Sequence, residues 1–209
     1  MSKTDPISLS YIRFFHALPI KYGIDIYIDN KLRFNDVLYE DFTEYIALPP
    51  GQHTVHLSRT KNPIVLCTKV LNISDQKIYT STVAPKSREG TGIDIYKIED
   101  VLRTIPSNNF LIRFGHSGGN SAAVDVFLSD DVPLFKRVSY SEITNYTPKN
   151  PGIYTLQLKE SKTGKVLVSA PNIRLKPSRF YSIYTLGNGS KEFPHIVVIP
   201  LDGNSYLKL

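Results

Sequence analysis

Ile12-Arg13-Phe14-Phe15-His16 and, after a short loop, Ile24-Asp25-Ile26-Tyr27-Ile28 are written a second time as Ile112-Arg113-Phe114-Gly115-His116 and Val124-Asp125-Val126-Phe127-Leu128. Both pieces recur at an offset of 100 residues. A period of that length is too long for a solenoid unit and matches a whole small domain. In a chain of 209 residues the repeat implies one domain copied in tandem, each copy large enough for its own core.

Within the quoted stretch, apolar residues alternate with a period of two. Ile12, Phe14 and His16 share one face and Tyr11, Arg13 and Phe15 the other, as on a strand. The first face is kept in the second copy, whereas Phe15 becomes Gly115, which marks the other face as the tolerant one. Ile24, Ile26 and Ile28 point inward, and Asp25 and Tyr27 outward. Asp29-Asn30 is a turn signal.

Downstream, the offset drifts to 101 at Tyr45 and Tyr146 and to 102 at Tyr79 and Tyr181. Pro50-Gly51 and Pro151-Gly152 mark matching turns, followed by the strands His53–Leu57 and Tyr154–Leu158 with hairpin partners in 64–73 and 165–175. The last strands are read over Ile93–Ile98 and His195–Ile199. About seven short strands per copy, with turns every 8 to 12 residues and no long 3.6-residue period, predict an all-β chain of two tandem β-sandwiches. The expected boundaries are an arm over 1–8, a first repeat over 9–98, a linker over 99–108 and a second repeat over 109–209.

Composition is that of an ordinary globular protein, 41% hydrophobic and 21% charged. Thirteen Tyr and ten Phe against no Trp favour strands. The net charge of +6 is spread over single basic residues with no run of three, so a solvated cationic surface is expected and nucleic acid is not an expected partner. One cysteine, Cys67, cannot form an intrachain disulfide; its strand-like setting predicts an inert, buried thiol. The first residues show no apolar signal core, and no stretch approaches about 18 uninterrupted apolar residues, so the chain is expected to be made in the cytoplasm and to have no membrane span.

Arg13-x-x-His16-Ala17-x-Pro19, Ile24-Asp25-Ile26-Tyr27-Ile28-Asp29 and Leu48-Pro49-Pro50-Gly51-x-x-x-Val55 resemble the motifs of the bacterial family catalogued as domain of unknown function 4397. The resemblance covers nearly the whole chain twice and is weaker in the second copy, where Ser117-Gly118-Gly119 replaces the proline loop. It implies tandem immunoglobulin-like or transthyretin-like antiparallel β-sandwiches, and a non-catalytic surface or structural module.

Among chemistry-bearing residues, Arg13 with Asp25 and Arg113 with Asp125 have matching facing parity, so each pair is expected to bridge neighbouring strands as a register-fixing ion pair. His16 and His116 close a core-facing alternation and are expected to hydrogen-bond a loop in preference to a metal. Gly115-His116-Ser117-Gly118-Gly119 matches G-x-S-x-G, but that elbow needs a helix after the serine and the pattern here continues as a strand.

No cofactor or metal motif emerges, and no nucleophile, base and oxyanion donor are grouped, so an enzyme is not expected. The expected role is a structural protein that self-associates or joins other envelope proteins at a bacterial surface or spore coat. Tyr11, Tyr27 and Phe127 are its candidate contact surface. A glycan or cell-wall polymer binder using exposed Tyr and the loops 17–23 and 116–121 is the alternative, and a serine hydrolase through Ser117 the remote one.

Overall fold

The computed structural model describes residues 9–208; the polar arm expected over residues 1–8 lies outside them. The chain divides into two compact units. One runs to Ala84 and resumes over Ile93–Val101; the other takes Pro85–Gly92 and Leu102–Ser205. Both are built from strands, and the single helical element among the described residues is a 3-10 turn, Gly203–Ser205.

The first unit contains β1 (Ser10–His16), β2 (Ile24–Ile28), β3 (Lys31–Val37), β4 (Ile46–Leu48), β5 (Gly51–Arg59), β6 (Asn62–Ile73), β7 (Ile78–Pro85) and β8 (Ile93–Glu99). They form two four-stranded sheets, ordered β4-β1-β7-β8 and β3-β2-β5-β6. The second unit repeats the plan with β9 (Phe110–His116), β10 (Val124–Leu128), β11 (Phe135–Val138), β12 (Thr147–Lys149), β13 (Gly152–Glu160), β14 (Val166–Leu175), β15 (Phe180–Leu186) and β16 (Ile196–Val198). Its sheets are β12-β9-β15-β16 and β11-β10-β13-β14. The chain is thus a tandem pair of β-sandwiches. Each copy has eight strands where the sequence pattern suggests about seven, because the turn after β2 opens directly into β3.

That turn follows from its residues. Asp29 and Asn30 sit at φ 51° and 62°, the left-handed pair of a two-residue hairpin that matches the strand twist, and both residue types tolerate it. By contrast Ala17–Gly23, seven residues with Pro19 inside, carries the chain from β1 in one sheet to β2 in the other. The sheets are not wholly antiparallel: β1 lies parallel to β7, with Arg13 opposite Thr80 and Phe15 opposite Thr82. β9 lies parallel to β15 in the same way, with Arg113 opposite Ser182 and Gly115 opposite Tyr184.

The alternation of the quoted stretch becomes the core. Ile12 and Phe14 from one sheet pack against Ile24, Ile26, Ile28, Val55 and Leu57 from the other, all at most 1% exposed. Phe110, Ile112 and Phe114 meet Val124, Val126, Leu128, Leu156 and Leu158 likewise in the second unit. At about 25 cal/mol per Å² of apolar surface removed from water, this two-layer burial is the main stabilising term.

The other face of β1 is not tolerant, contrary to the sequence expectation. Residues 41–45 strap across it: Thr43 N donates to Phe14 O, and Phe14 N donates to Thr43 Oγ1. Under this strap Phe15 is fully buried and stacks on Phe42 at 4.0 Å with the rings 2° from parallel. Asp100, placed in the linker by the sequence pattern, is 2% exposed and belongs with Ile93–Val101 to the first unit.

Candidate functional site

In each unit the charged residues that both copies share converge beside the segment that lines the opening strand, 41–45 on β1 and 142–146 on β9. Arg113 Nε donates to Ser182 Oγ at 2.7 Å, Ser182 Oγ donates to Asp202 Oδ2 at 2.7 Å, and the Tyr146 hydroxyl donates to the same oxygen at 2.5 Å. The guanidinium closes the ring, with Nη2 3.7 Å from Asp202 Oδ2 and Cζ 4.6 Å above the Tyr146 ring. The first unit builds the same cluster. Arg13 Nε donates to Thr80 Oγ1 at 3.0 Å, the Tyr45 hydroxyl donates to Asp100 Oδ2 at 2.9 Å, and Arg13 Cζ lies 4.9 Å above the Tyr45 ring. Arg13, Arg113, Asp100 and Asp202 are all at most 4% exposed. A buried charge is tolerated only when its hydrogen-bonding capacity is used, which these clusters achieve.

This overturns the expected partnership of Arg13 with Asp25 and of Arg113 with Asp125. β1 and β2 belong to different sheets, as do β9 and β10, so facing parity never brings the members together. Asp25 serves its own sheet: it accepts from Asn35 Nδ2, Asp36 N and Thr60 Oγ1 at 2.7 to 3.0 Å. Asp36, at φ 55°, is the irregular residue of β3, and the carboxylate pins it there. Asp125 does the same for Arg137, at φ 48°, accepting from its N and from Ser161 Oγ, both at 2.7 Å.

His16 and His116 end β1 and β9. His16 Nδ1 accepts from Leu18 N at 3.3 Å and His116 Nδ1 from Gly118 N at 3.2 Å, each ring holding the loop that follows it. Burial lowers both to a pKa of about 4, so the rings are neutral at pH 7. In a neutral ring whose Nδ1 accepts, the proton resides on Nε2. His116 Nε2 meets Ser121 Oγ at 3.2 Å, and Ser121 Oγ in turn donates to Gly118 O. His116 is therefore a donor toward Ser121 and holds no base lone pair for it. Ser117 is half-buried and leads through a turn into β10, so the strand-turn-helix geometry of a nucleophile elbow is not built around it.

Cys67 is half-buried, its thiol pKa pushed up by burial and then by the Asp94 carboxylate. His53 and His56 face opposite ways. His53 Nδ1 pairs with Asp29 Oδ2 at 2.7 Å, while the His56 ring stacks on Tyr27 at 4.5 Å. Among the described residues no group of three His, Cys, Asp or Glu is placed to hold a metal ion, and no helix is long and apolar enough to cross a membrane. Tyr11, Tyr27 and Phe127 are all half-buried on outward strand positions. Phe127 opens onto a shallow hollow of about 280 Å³, lined by Asp131, Thr155, Gln157 and Lys159 among others.

The family model described as Domain of unknown function (DUF4397) matches residues 10–127 and again 111–205. The chain belongs to the DUF4397 family. The two matches overlap over residues 111–127 and together span both DUF4397 repeats, each of which carries the Arg–hydroxyl–Asp–Tyr cluster. No curated protein matches the chain. Among solved structures, a streptococcal virulence factor described for alpha-glucan binding aligns at 11% identity, covering 95% of this chain and 99% of that one, with a TM-score of 0.24. A fimbrial anchor protein of Porphyromonas gingivalis aligns at 10% identity over 93% and 98% of the two chains, with a TM-score of 0.24.

The clusters could have been found in the sequence only in part. Arg13, Arg113, Tyr45 and Tyr146 stand out as matched positions, but Asp100 and Asp202 sit just past the last strands. Carrying the offset of 102 two residues beyond Ile98 and Pro200 would have paired them.

Proposed function

We propose that this DUF4397 chain is a non-catalytic structural module that assembles with further copies at a bacterial surface or spore envelope. The observation that carries this reading is the fate of its shared polar residues. In both copies the arginine, aspartate and hydroxyl that chemistry could use are buried and, with a tyrosine that is buried in the second copy and half-buried in the first, spent on one another; the shared histidines are neutral and anchored to loops. Such groups hold a fold together and offer a substrate nothing.

A second feature favours assembly. β6 is a 12-residue edge strand whose Ile64, Val65 and Val70 are each more than half exposed. An exposed apolar edge is a template for pairing with another strand unless it is covered, and a second copy of this chain would cover it. Light scattering and negative-stain microscopy of the purified chain test the reading: concentration-dependent oligomers are expected, and Ile64→Lys with Val65→Lys should dissolve them. A monodisperse monomer at high concentration overturns it. Immunogold labelling or fractionation of the producing cells tests the surface setting, with label confined to the cell interior as the refuting result.

A further inference from the structure

We propose that the hollow beside Phe127 is a subsite for one ring of a neutral oligosaccharide. This goes beyond the assembly reading and stands independently of it. The hollow lies on the outward face of the second unit, where β10 and β13 pair Phe127 with Gln157. Its volume of about 280 Å³ is at the small end of ligand sites, enough for a single ring.

The composition of the hollow identifies the ligand class. Phe127 presents a half-buried ring on an outward position of the sheet; Lys159 Nζ lies over one face of it, 4.3 Å from its centre, which leaves the opposite face for a ligand. Around it stand the Gln157 amide, the Thr155 hydroxyl and the Asp131 carboxylate, none of which has a side-chain hydrogen-bond partner among the described residues. Asp130, tethered by Lys149 at 2.9 Å, completes the rim. An aromatic face bordered by convergent donors and acceptors suits a pyranose, whose axial C–H bonds stack on the ring while its hydroxyls reach the amide and carboxylates. The Asp130 and Asp131 carboxylates are balanced by Lys149 and Lys159, so the hollow carries no net charge and suits a neutral ligand.

Divergence between the copies supports the same conclusion. At the matching positions of the first unit, Tyr27 is covered by the stacked His56 ring, 12° from parallel. Asp29 matches Ser129, and each accepts from the facing threonine amide, Thr54 N or Thr155 N; the Asp130 and Asp131 carboxylates follow that position in the second copy alone. The difference between the copies is thus at the residue opposite the aromatic: the His56 ring stacks on Tyr27, whereas Phe127 faces the Gln157 amide.

Isothermal titration of the full chain with maltohexaose, cellohexaose and N-acetylchitohexaose tests the proposal. At least one is expected to bind with a Kd in the millimolar range or below. Phe127→Ala and Gln157→Ala should each weaken it at least tenfold, while Tyr27→Ala leaves it unchanged. Should Phe127→Ala misfold, Gln157→Ala and Asp131→Asn carry the same test. No binding by any of the three, or binding equally sensitive to Tyr27→Ala, overturns it. The oligomerisation assay is read separately, so this outcome and that one cannot be confused.

Discussion

Tyr184 stands where Gly115 has no side chain: a β-carbon on Gly115 would lie 2.8 Å from the Tyr184 ring and 3.0 Å from Ile143 Cδ1. In the first copy the sizes are reversed, with Phe15 opposite Thr82 and stacked on Phe42. The two parallel pairs therefore fill one space from opposite strands. Gly115→Ala is expected to destabilise the second unit by about 1 to 3 kcal/mol through overpacking. In urea unfolding, Gly115→Phe combined with Tyr184→Thr should recover part of what Gly115→Phe alone loses; additive losses would refute the exchange.

Arg113 and Asp202 form a buried pair that cannot be broken cheaply. Asp202→Ala leaves the guanidinium and the Tyr146 hydroxyl without their shared acceptor and is expected to cost about 3 kcal/mol or more. Replacing both partners by apolar residues, Arg113→Met with Asp202→Leu, should cost less than either single change. A double-mutant cycle in denaturant measures this, and zero coupling energy would show that the cluster is not cohesive.

Acid should loosen both units through His16 and His116. Each is about 6.5 when unfolded and about 4 when folded. The unfolded chain binds more protons between those values, so the histidine contribution is complete above pH 6.5 and is lost as pH falls toward 4. At about 1.4 kcal/mol per pKa unit, each histidine accounts for up to about 3 kcal/mol. The urea midpoint is expected to fall across this window, and His16→Gln with His116→Gln should flatten that slope; an unchanged slope would contradict the assignment.

Asp25 holds three donors and Asp125 two. Asp25→Ala should therefore cost more than Asp125→Ala, on the order of 2 kcal/mol for the former, since each leaves donors unpaired. Amide hydrogen exchange should locate the loss at Asp36 and Arg137 respectively. Faster exchange centred on β1 or β9 instead would restore the discarded ion pairs.

The duplicated unit and its inward-facing residues were legible because a period of two survives in Ile12, Phe14, Ile24, Ile26 and Ile28 and their copies. The pairing of Arg13 was not legible, because parity states which way a side chain faces but not which sheet its strand joins. The seven-residue loop after His16 was the available hint, being long enough to cross the sandwich. Gly115 misled for a related reason. A large residue replaced by glycine looks permissive until its neighbour, 69 positions away, is known.

The parallel pairing of β1 with β7 obliges each copy to keep its opening strand waiting until nearly the whole unit has left the ribosome. During that interval two corresponding opening strands compete for two corresponding partners. A β1 laid beside β15 would drive Phe15 into Tyr184, and a β9 beside β7 would leave a void between Gly115 and Thr82. The size exchange thus sorts the strands at birth, and a chain engineered with the same residue pair in both copies should refold with a larger share of cross-joined species, visible on native gels.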